Sequence, residues 1–320
     1  MQSKLVSRRQ FVLAGAAATA GAAILGGTRG AVAATGDAPP SRLAFTVAGK
    51  GYRFDTSVLR GMLRENGRSV GLHPLQEVAS GAPVAGEYSL FAPYRLLTPK
   101  TRFLPDARDW SSRSKLLSDG ALEVHWLPDD EHPLELKAVY RFAAPNVLDF
   151  HATVKPKRSL RKFELFLSSY FSGFPASLVY VRDCPRAGGK PGFLEATKQA
   201  GDWQMFPRDD DAVRTIADGR WNCPPNPVAW KIMPRLAAPL ALRRDAQRGL
   251  AAAIMAPMRD CFAVSTPYGE EGHRSVYLSL FGRDLKAGET ASARARLVIG
   301  KTISDRQAIE LYEAYRKEWQ

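Results

Sequence analysis

The most constraining feature of this sequence is a strict alternation of apolar and polar residues between positions 121 and 171. Three consecutive segments, LEVHWL, LELKAVYRF and LDFHATV, place an apolar residue at every second position. Successive side chains of a strand point to opposite faces of a sheet, so this period predicts half-buried strands. Short turns separate the three segments, which predicts an antiparallel meander, and a fourth strand follows at 163–171. We therefore predict a core built on β-sheet.

The remainder of the chain extends this prediction to a mainly β, antiparallel sandwich with a C-terminal helix. Further short apolar runs typical of strands lie at 43–47, 52–54, 250–255, 261–265, 276–281 and 291–299. Ser304 and Gln307 have the spacing of a capping box, which predicts the start of the helix. Between 172 and 235 Gly, Pro, Asp and Trp are frequent, which predicts a long irregular excursion. We expect one domain over 43–320.

The first 33 residues have the pattern of an export signal. The run SRRQFVL at 7–13 precedes an Ala/Gly-rich apolar stretch that ends in Ala31-Val32-Ala33. This order of charged, apolar and small residues is typical of a signal peptide, and the paired arginines resemble a twin-arginine signal. An ordinary Sec signal or an uncleaved anchor is the alternative. We expect a linker at 34–42, a periplasmic or extracellular mature chain, and no transmembrane span after signal removal.

The net charge is modestly basic. The 45 Lys/Arg and 32 Asp/Glu give +13, and loss of the four basic residues within 1–33 leaves 41 against 32, or +9. Most basic residues are scattered, and the densest cluster is KPKRSLRK at 155–162. Such a cluster is either a solvated loop or a site for an anionic polymer such as an acidic polysaccharide. No nucleic-acid-binding motif is present, so we expect no nucleic acid partner.

The cysteines and the missing motifs exclude several classes of site. Cys184, Cys223 and Cys261 lack the C-x-x-C spacing of a zinc site, so no metal site is predicted from them. In an oxidising compartment one pair could form a disulfide, with Cys184 and Cys223 as the first choice. The sequence contains no G-x-S-x-G, H-E-x-x-H, P-loop or helix-opening G-x-G-x-x-G motif. We therefore expect no nucleotide or dinucleotide cofactor.

The polar face of the meander is the first candidate site. Two of its strands carry a carboxylate and an imidazole two positions apart, namely Glu123 with His125 and Asp149 with His151. Imidazoles beside carboxylates supply general acid and base groups near neutral pH, so these four are the predicted catalytic residues. The alternatives are a solvent-facing sheet surface, or a metal bound by the two histidines and a carboxylate.

Two further groups predict a binding surface. His73 stands before Pro74 in a rigid, non-helical setting, and an Arg follows at Tyr94-Arg95. A fixed His and an Arg suit a sugar ring or a carboxylate, although a turn His and a surface Arg would look the same. The tryptophans of the excursion either stack on sugar rings or cover the sheet as a lid. The predicted substrate-binding residues are His73, Tyr94, Arg95, Tyr170, Trp203 and Trp230.

The strand pattern of 121–154, the GLHPL and APYR segments and the ending SLFGRDLKAGETASARARLVIG together resemble the galactose-mutarotase-like β-supersandwich. That fold occurs in aldose epimerases and as a domain of many polysaccharide lyases and glycoside hydrolases. Epimerases of this family use a His base and a Glu acid on the concave sheet, with an Arg and a second His holding the sugar. The resemblance gives such places to His73, Arg95, His125 and His151. The late Glu would be Glu270, Glu271 or Glu289.

The resemblance implies a carbohydrate-active protein whose sugar ligand is either neutral or anionic, and the signal pattern adds the expectation that it is exported. The leading expectation is an epimerase- or lyase-like enzyme that uses His125 or His151 as a base. A non-catalytic glycan-binding or accessory protein that uses the same groove and its tryptophans is the alternative. A metal-dependent enzyme is the third possibility.

Overall fold

The protein is built mainly from antiparallel strands. The computed structural model describes residues 43–49, 51–65 and 69–319, so the predicted signal peptide and linker lie outside the described residues. In chain order the strands are β1 Thr46–Ala48, β2 Gly51–Asp55, β3 Leu59–Arg64, β4 Gly71–Glu77, β5 Ala92–Thr98, β6 Thr101–Arg102, β7 Arg113–Leu116, β8 Leu122–Trp126, β9 Leu134–Ala144, β10 Val147–Pro156, β11 Leu160–Tyr170, β12 Ala176–Cys184, β13 Lys190–Glu195, β14 Trp203–Pro207, β15 Lys231–Ile232, β16 Leu236–Asp245, β17 Leu250–Met255, β18 Cys261–Pro267, β19 Ser275–Leu285 and β20 Ala291–Lys301. The helices are α1 Asp210–Ile216 and α2 Asp305–Lys317.

The predicted meander forms part of a nine-stranded sheet with the order β13-β12-β16-β17-β20-β10-β9-β8-β7. Strands β8, β9 and β10 are neighbours, and His125 lies opposite Lys137, which lies opposite Thr153. The apolar positions of these strands, such as Trp126 and Tyr140, are fully buried. The sequence prediction of three paired, half-buried strands is confirmed.

The second large sheet has seven strands in the order β15-β14-β18-β19-β11-β5-β6. The predicted fourth strand, β11, lies here between β19 and β5, so the chain leaves the meander and crosses to the other layer. Leu165 and Leu167 of β11 join the main core shared with the nine-stranded sheet. Phe166 and Tyr170 alternate with them and belong to a separate cluster on the opposite face. We call this opposite face the cavity face.

A four-stranded sheet of β1 to β4 adds to the main core near the start of the described chain. Phe54 of β2 packs on Phe142 of β9 with ring centroids 4.8 Å apart, and Phe45 contacts both rings. These aromatic contacts attach the small sheet to the nine-stranded one.

The C-terminal helix is confirmed and begins with the predicted capping box. The Ser304 side chain accepts a hydrogen bond from the Gln307 backbone N–H, and the Gln307 side chain accepts one from the Ser304 N–H. Ala308, Tyr312 and Tyr315 are buried in a cluster with outward-facing residues of the nine-stranded sheet. We call the outer face of that sheet, which α2 partly covers, the helix face.

The 172–235 segment is more regular than its composition predicts. It contains β12, β13, β14, β15 and α1, together with three single turns of 3-10 helix. Val179 and Val181 of β12 face the main core, whereas Leu178 packs in the cluster around α2. Because both faces of this strand are apolar, it lacks the polar–apolar alternation by which half-buried strands are recognised. The predicted irregular excursion is therefore wrong over these strands.

The expected Cys184–Cys223 disulfide is also absent, because Cys184, Cys223 and Cys261 are all free thiols. Cys184 ends β12 in the nine-stranded sheet, whereas Cys223 follows a 3-10 turn whose Trp221 packs on the cavity face. The two thiols thus belong to different layers.

Within the described ranges, no helix has the length and apolarity needed to span a membrane.

Candidate functional site

A cavity of about 610 Å³ lies on the cavity face of the seven-stranded sheet. Its volume falls within the usual range of small-molecule sites. Phe166 and Tyr170 of β11 and Tyr277 of β19 contribute sheet side chains to it. Trp203 at the start of β14 and Lys231 at the start of β15 extend that lining, and the connecting segments add Trp221, Asn226, Trp230 and His273. The sheet and its edge strands thus give one side of the cavity, and connecting segments complete it.

A β-bulge in β5 brings two neighbouring side chains into this cavity. Arg95 pairs with Phe166 and Pro93 pairs with Leu167, so Tyr94 is the extra residue between them. A bulge re-aims the strand, which explains why Tyr94 and Arg95 both line the cavity although consecutive strand residues normally face opposite ways. Pro93 lacks a backbone N–H and is therefore suited to this position.

Arg95 is the most unusual charged group of the cavity. It is 3% exposed, and its guanidinium carbon lies 5.1 Å from the Tyr94 ring centroid and 5.4 Å from that of Trp221. Its Nη2 donates to the Asn226 carbonyl at 3.0 Å and contacts the Tyr94 hydroxyl at 3.4 Å. Nε and Nη1 have no hydrogen-bond partner among the described residues. A buried cation without a counter-charge is energetically costly, so this arrangement calls for a functional explanation.

Three tryptophans form an aromatic wall by packing edge to face on one another. Trp230 lies 5.3 Å from Trp221 and 5.8 Å from Trp203, at interplanar angles of 81° and 89°. Trp221 also meets the Phe166 ring at 4.7 Å, which connects the wall to the sheet. Trp221 is almost fully buried, whereas Trp203 and Trp230 are only partly buried. The tryptophans therefore cover part of the sheet and also line the cavity, and their stacking on a sugar ring stays a prediction.

A buried ionic network holds the Trp221 turn in place. Arg220 and Glu164 are both fully buried, with Nη1 of Arg220 2.9 Å from Oε2 of Glu164. Arg220 also pairs with Asp218 at 2.7 Å and donates to the Lys162 carbonyl at 2.8 Å. Burial raises the pKa of the Glu164 carboxyl, and the Arg220 charge opposes that rise. The network joins the 3-10 turn to β11 directly beside the cavity.

His273 is the titratable group at the cavity wall that the sequence analysis missed. Its Nδ1 lies 2.7 Å from Oε1 of Glu271, and its backbone N–H donates to the other oxygen of that carboxylate at 2.8 Å. The ring lies 5.4 Å from Trp203 and 6.2 Å from Tyr170. A carboxylate at Nδ1 favours the tautomer that leaves Nε2 available for proton transfer. The only sequence signal was the E-G-H spacing at 271–273, in a loop without strand or helix periodicity.

The four predicted catalytic residues do not lie in this cavity. Glu123 and His125 alternate with buried Leu122 and Val124 on β8, so they point to the helix face, on the far side of the main core. His125 Nε2 lies 2.8 Å from Glu135 Oε1, although without hydrogen-bond geometry. The polar positions of the alternation on β8 therefore correspond to the outer surface of the nine-stranded sheet.

Asp149 and His151 of β10 share that helix face. The Asp149 carboxylate receives two hydrogen bonds from Arg296, at 2.6 and 2.9 Å, and Arg296 also binds Glu318 beside the end of α2. His151 lines a separate cavity of about 260 Å³ with Trp319, and burial lowers its pKa, followed by the nearby Arg294 charge. β9 lies between the strands of His125 and His151, and His151 stands two residues from the position in line with His125, so the two residues are about 12 Å apart along the sheet. They do not converge on one reacting atom.

Of the six predicted substrate-binding residues, five line the cavity: Tyr94, Arg95, Tyr170, Trp203 and Trp230. Their role in binding stays a prediction. His73 is not among the lining residues. It lies on β4 with Nδ1 3.0 Å from the Gly86 carbonyl oxygen, and burial lowers its pKa. In the part of the chain that the structure describes, no three His, Cys, Asp or Glu residues are placed to hold a metal ion.

Comparison with known proteins gives structural likeness but no sequence family. No family model matches the sequence, and no curated protein matches it. An alpha-N-acetylgalactosaminidase from Bifidobacterium bifidum superposes with a TM-score of 0.51 at 12% identity, covering 83% of this chain and 39% of that one. A glycosyl hydrolase family 38 protein from Enterococcus faecalis gives 0.48 at 9% identity, covering 84% and 32%. A galactose mutarotase related enzyme from Lactobacillus acidophilus gives 0.44 at 11%, covering 80% and 99%.

The Bifidobacterium structure shows that this chain shares its β-sandwich fold. The chain spans about two fifths of the length of that enzyme. At this level of identity the likeness extends to the fold alone.

Proposed function

We propose that the protein binds a carbohydrate in the cavity of the seven-stranded sheet and acts on it as an epimerase- or lyase-like enzyme. The observation that carries this proposal is the combination within one cavity of the Trp203–Trp230 wall, the buried Arg95 and the His273–Glu271 pair. The fold shared with a sugar-processing enzyme from Bifidobacterium bifidum is consistent with it. The proposal moves the acid–base role from His125 and His151 to His273.

Each part of the cavity has a task that its chemistry supports. The apolar face of a sugar ring packs well on indole rings, as provided by Trp203 and Trp230. Guanidinium N–H groups donate to ring substituents, and Arg95 is held in a fixed orientation by Asn226. Epimerisation and lyase cleavage both move a proton at a sugar ring, and an imidazole paired with a carboxylate accepts and returns a proton near neutral pH.

The experiment that tests this proposal replaces His273 and screens turnover on a panel of aldoses and polysaccharides. His273→Gln should lower kcat on the best substrate by about 10²-fold or more, because general acid–base groups contribute that much. The dissociation constant for the same sugar should change by less than about threefold, since Trp and Arg contacts remain. His125→Gln, on the helix face, is the matched control and should retain turnover. Unchanged kcat in His273→Gln would contradict the assignment.

A non-catalytic glycan-binding protein is the second candidate. It is favoured by the position of His273, whose side chain is 49% exposed and thus less shielded from water than most catalytic bases. Binding of a glycan on an array without turnover of that glycan, in a protein with intact His273, would select this second function.

We also propose that the chain acts in the periplasm or outside the cell after twin-arginine export. The support is the SRRQFVL run ahead of an Ala/Gly-rich apolar stretch. Fractionation of cells that express the full chain tests it: Arg8→Lys with Arg9→Lys should retain the protein in the cytoplasm, and unchanged export would rule out this route.

A further inference from the structure

The buried arginines of this protein fall into two groups according to whether they have a carboxylate partner. Arg102 binds Asp106 at 2.5 Å, Arg220 binds Glu164 and Asp218, and Arg296 binds Asp149. Arg95 and Arg243 are equally buried, yet neither has a carboxylate partner within the described ranges.

The two exceptions differ in where they lie. Arg243 is fully enclosed and is not among the residues that line the cavity, and burial lowers its pKa to about 9. Arg95 lines the cavity, between the Tyr94 and Trp221 rings. Of the two buried guanidinium groups without a carboxylate, Arg95 is thus the one beside space that a ligand can fill.

The anchoring of Arg95 makes it suitable as a receptor group. Only Nη2 is engaged, by the Asn226 carbonyl and the Tyr94 hydroxyl, which fixes the plane of the guanidinium. The single N–H of Nε and the two of Nη1 have no acceptor among the described residues and are themselves closed off from solvent, so they add to the cost of burying this charge. The guanidinium is thus held in place before binding, so placing an anion beside it costs little conformational entropy of this side chain.

The other charged groups of the cavity do not supply the missing counter-charge. Lys231 adds a second cation to the lining. Asp202 is the one carboxylate among the lining residues, and it is not among the hydrogen-bond partners of Arg95, which are Asn226 and Tyr94. Glu271, just behind the wall, is occupied by His273. A neutral sugar would therefore leave the Arg95 charge uncompensated, whereas an anionic one would neutralise it.

We propose that the ligand is an acidic sugar whose carboxylate lies in the cavity on the side of the Arg95 guanidinium and Lys231, that is, a hexuronic acid or a chain containing one. The inference rests on the proposed function, because it takes the cavity to be a sugar site. A carboxylate brings a charge opposite to that of Arg95, which a hydroxyl does not, so Arg95 selects the acid over the neutral sugar of the same ring configuration.

The test compares matched pairs of sugars by tryptophan fluorescence titration of the whole protein. The pairs are galacturonate with galactose and glucuronate with glucose, each as the monosaccharide and as a short oligomer. We expect the better acidic sugar to bind at least about tenfold more tightly than its neutral counterpart at low salt. The preference should shrink at high ionic strength, since salt screens the charge interaction.

Variants test whether Arg95 causes the preference for the acidic sugar. Arg95→Gln should abolish the preference and retain weak binding of both sugars, and Arg95→Lys should keep part of it because the charge remains. Arg306→Gln, on the exposed side of α2, is the control and should bind like the parent protein. Thermal melts of all variants check folding, and the Lys variant keeps the test valid if the Gln variant does not fold.

The outcomes separate this inference from the proposed function. Equal affinity for acidic and neutral sugars overturns the acidic-sugar inference and leaves the carbohydrate proposal standing. Acetate that competes as well as galacturonate also overturns it, because the site then recognises an anion alone. Failure of every monosaccharide and oligomer to bind contradicts the carbohydrate proposal itself.

Discussion

The helix face of the nine-stranded sheet and the cavity face of the seven-stranded sheet carry opposite kinds of polar chemistry. On the helix face polar residues are frequent and many form ion pairs, as in Lys137 with Glu135 and Asp149 with Arg296. On the cavity face aromatic residues predominate and polar groups are few, but Arg95 is buried with donors that have no acceptor. Density of polar residues therefore marks an outer surface here, whereas the candidate site is marked by a buried cation that lines a cavity without a carboxylate partner among the described residues.

The largest expected difference between the two faces is in stability. Arg220→Met leaves the buried Glu164 carboxylate without its cation, so we expect a loss of about 3–5 kcal/mol in the free energy of unfolding. Arg141→Met on the helix face removes an exposed pair with Asp119 and should cost less than about 1 kcal/mol. Urea denaturation measures both values.

A second substitution distinguishes a buried charge from lost packing. Adding Glu164→Leu to Arg220→Met removes the uncompensated carboxylate and should recover part of the loss. If Arg141→Met proves as destabilising as Arg220→Met, burial of the ion pair does not explain the difference in stability that we expect between the two faces.

The sequence predicts the helix face well, because its signals are local. Alternation within β8, β9 and β10 is enough to assign the strands, and the capping box at Ser304 is enough to begin α2. The apolar positions of these elements follow from the same period, and they are the buried ones.

The cavity face is less predictable because its geometry depends on pairing between distant strands. The bulge that turns Tyr94 beside Arg95 exists only because β5 pairs with β11, about 70 residues later in the chain. Five of the six residues predicted as binding groups were recognised by type alone, as Trp, Tyr and Arg suited to sugars. His273 lies in a loop whose position is set by the surrounding sheet, so its sequence context carried no signal.

A smaller difference is expected in ligand binding. Trp203→Ala removes one stacking surface and the edge-to-face contact with Trp230, so the tightest glycan found on an array should bind at least about tenfold more weakly. Trp319→Ala on the helix face removes an aromatic ring that lines the smaller cavity beside His151. The Trp319→Ala variant should bind the same glycan with an affinity within about twofold of that of the parent protein. Similar losses in both would mean that the ligand site is not confined to the cavity face.

The smallest effect is a pH dependence that belongs to the helix face. Burial, with the Arg294 charge, lowers the pKa of His151 below its ordinary value of 6.5. The unfolded chain therefore binds a proton at His151 more readily than the folded chain does. The free energy of unfolding is thus highest above pH 6.5, where His151 is neutral in both states, and it falls as the pH drops toward the lowered pKa. His73 shares this direction through burial, with the Arg64 charge second. Urea denaturation of the parent and of His151→Gln at about pH 7.5 and about pH 5.5 should show a smaller loss of stability in the variant, by less than about 1 kcal/mol. An equal pH dependence in the two proteins would show that His151 does not titrate against folding, and the acid sensitivity of the helix face would then have to come from other groups.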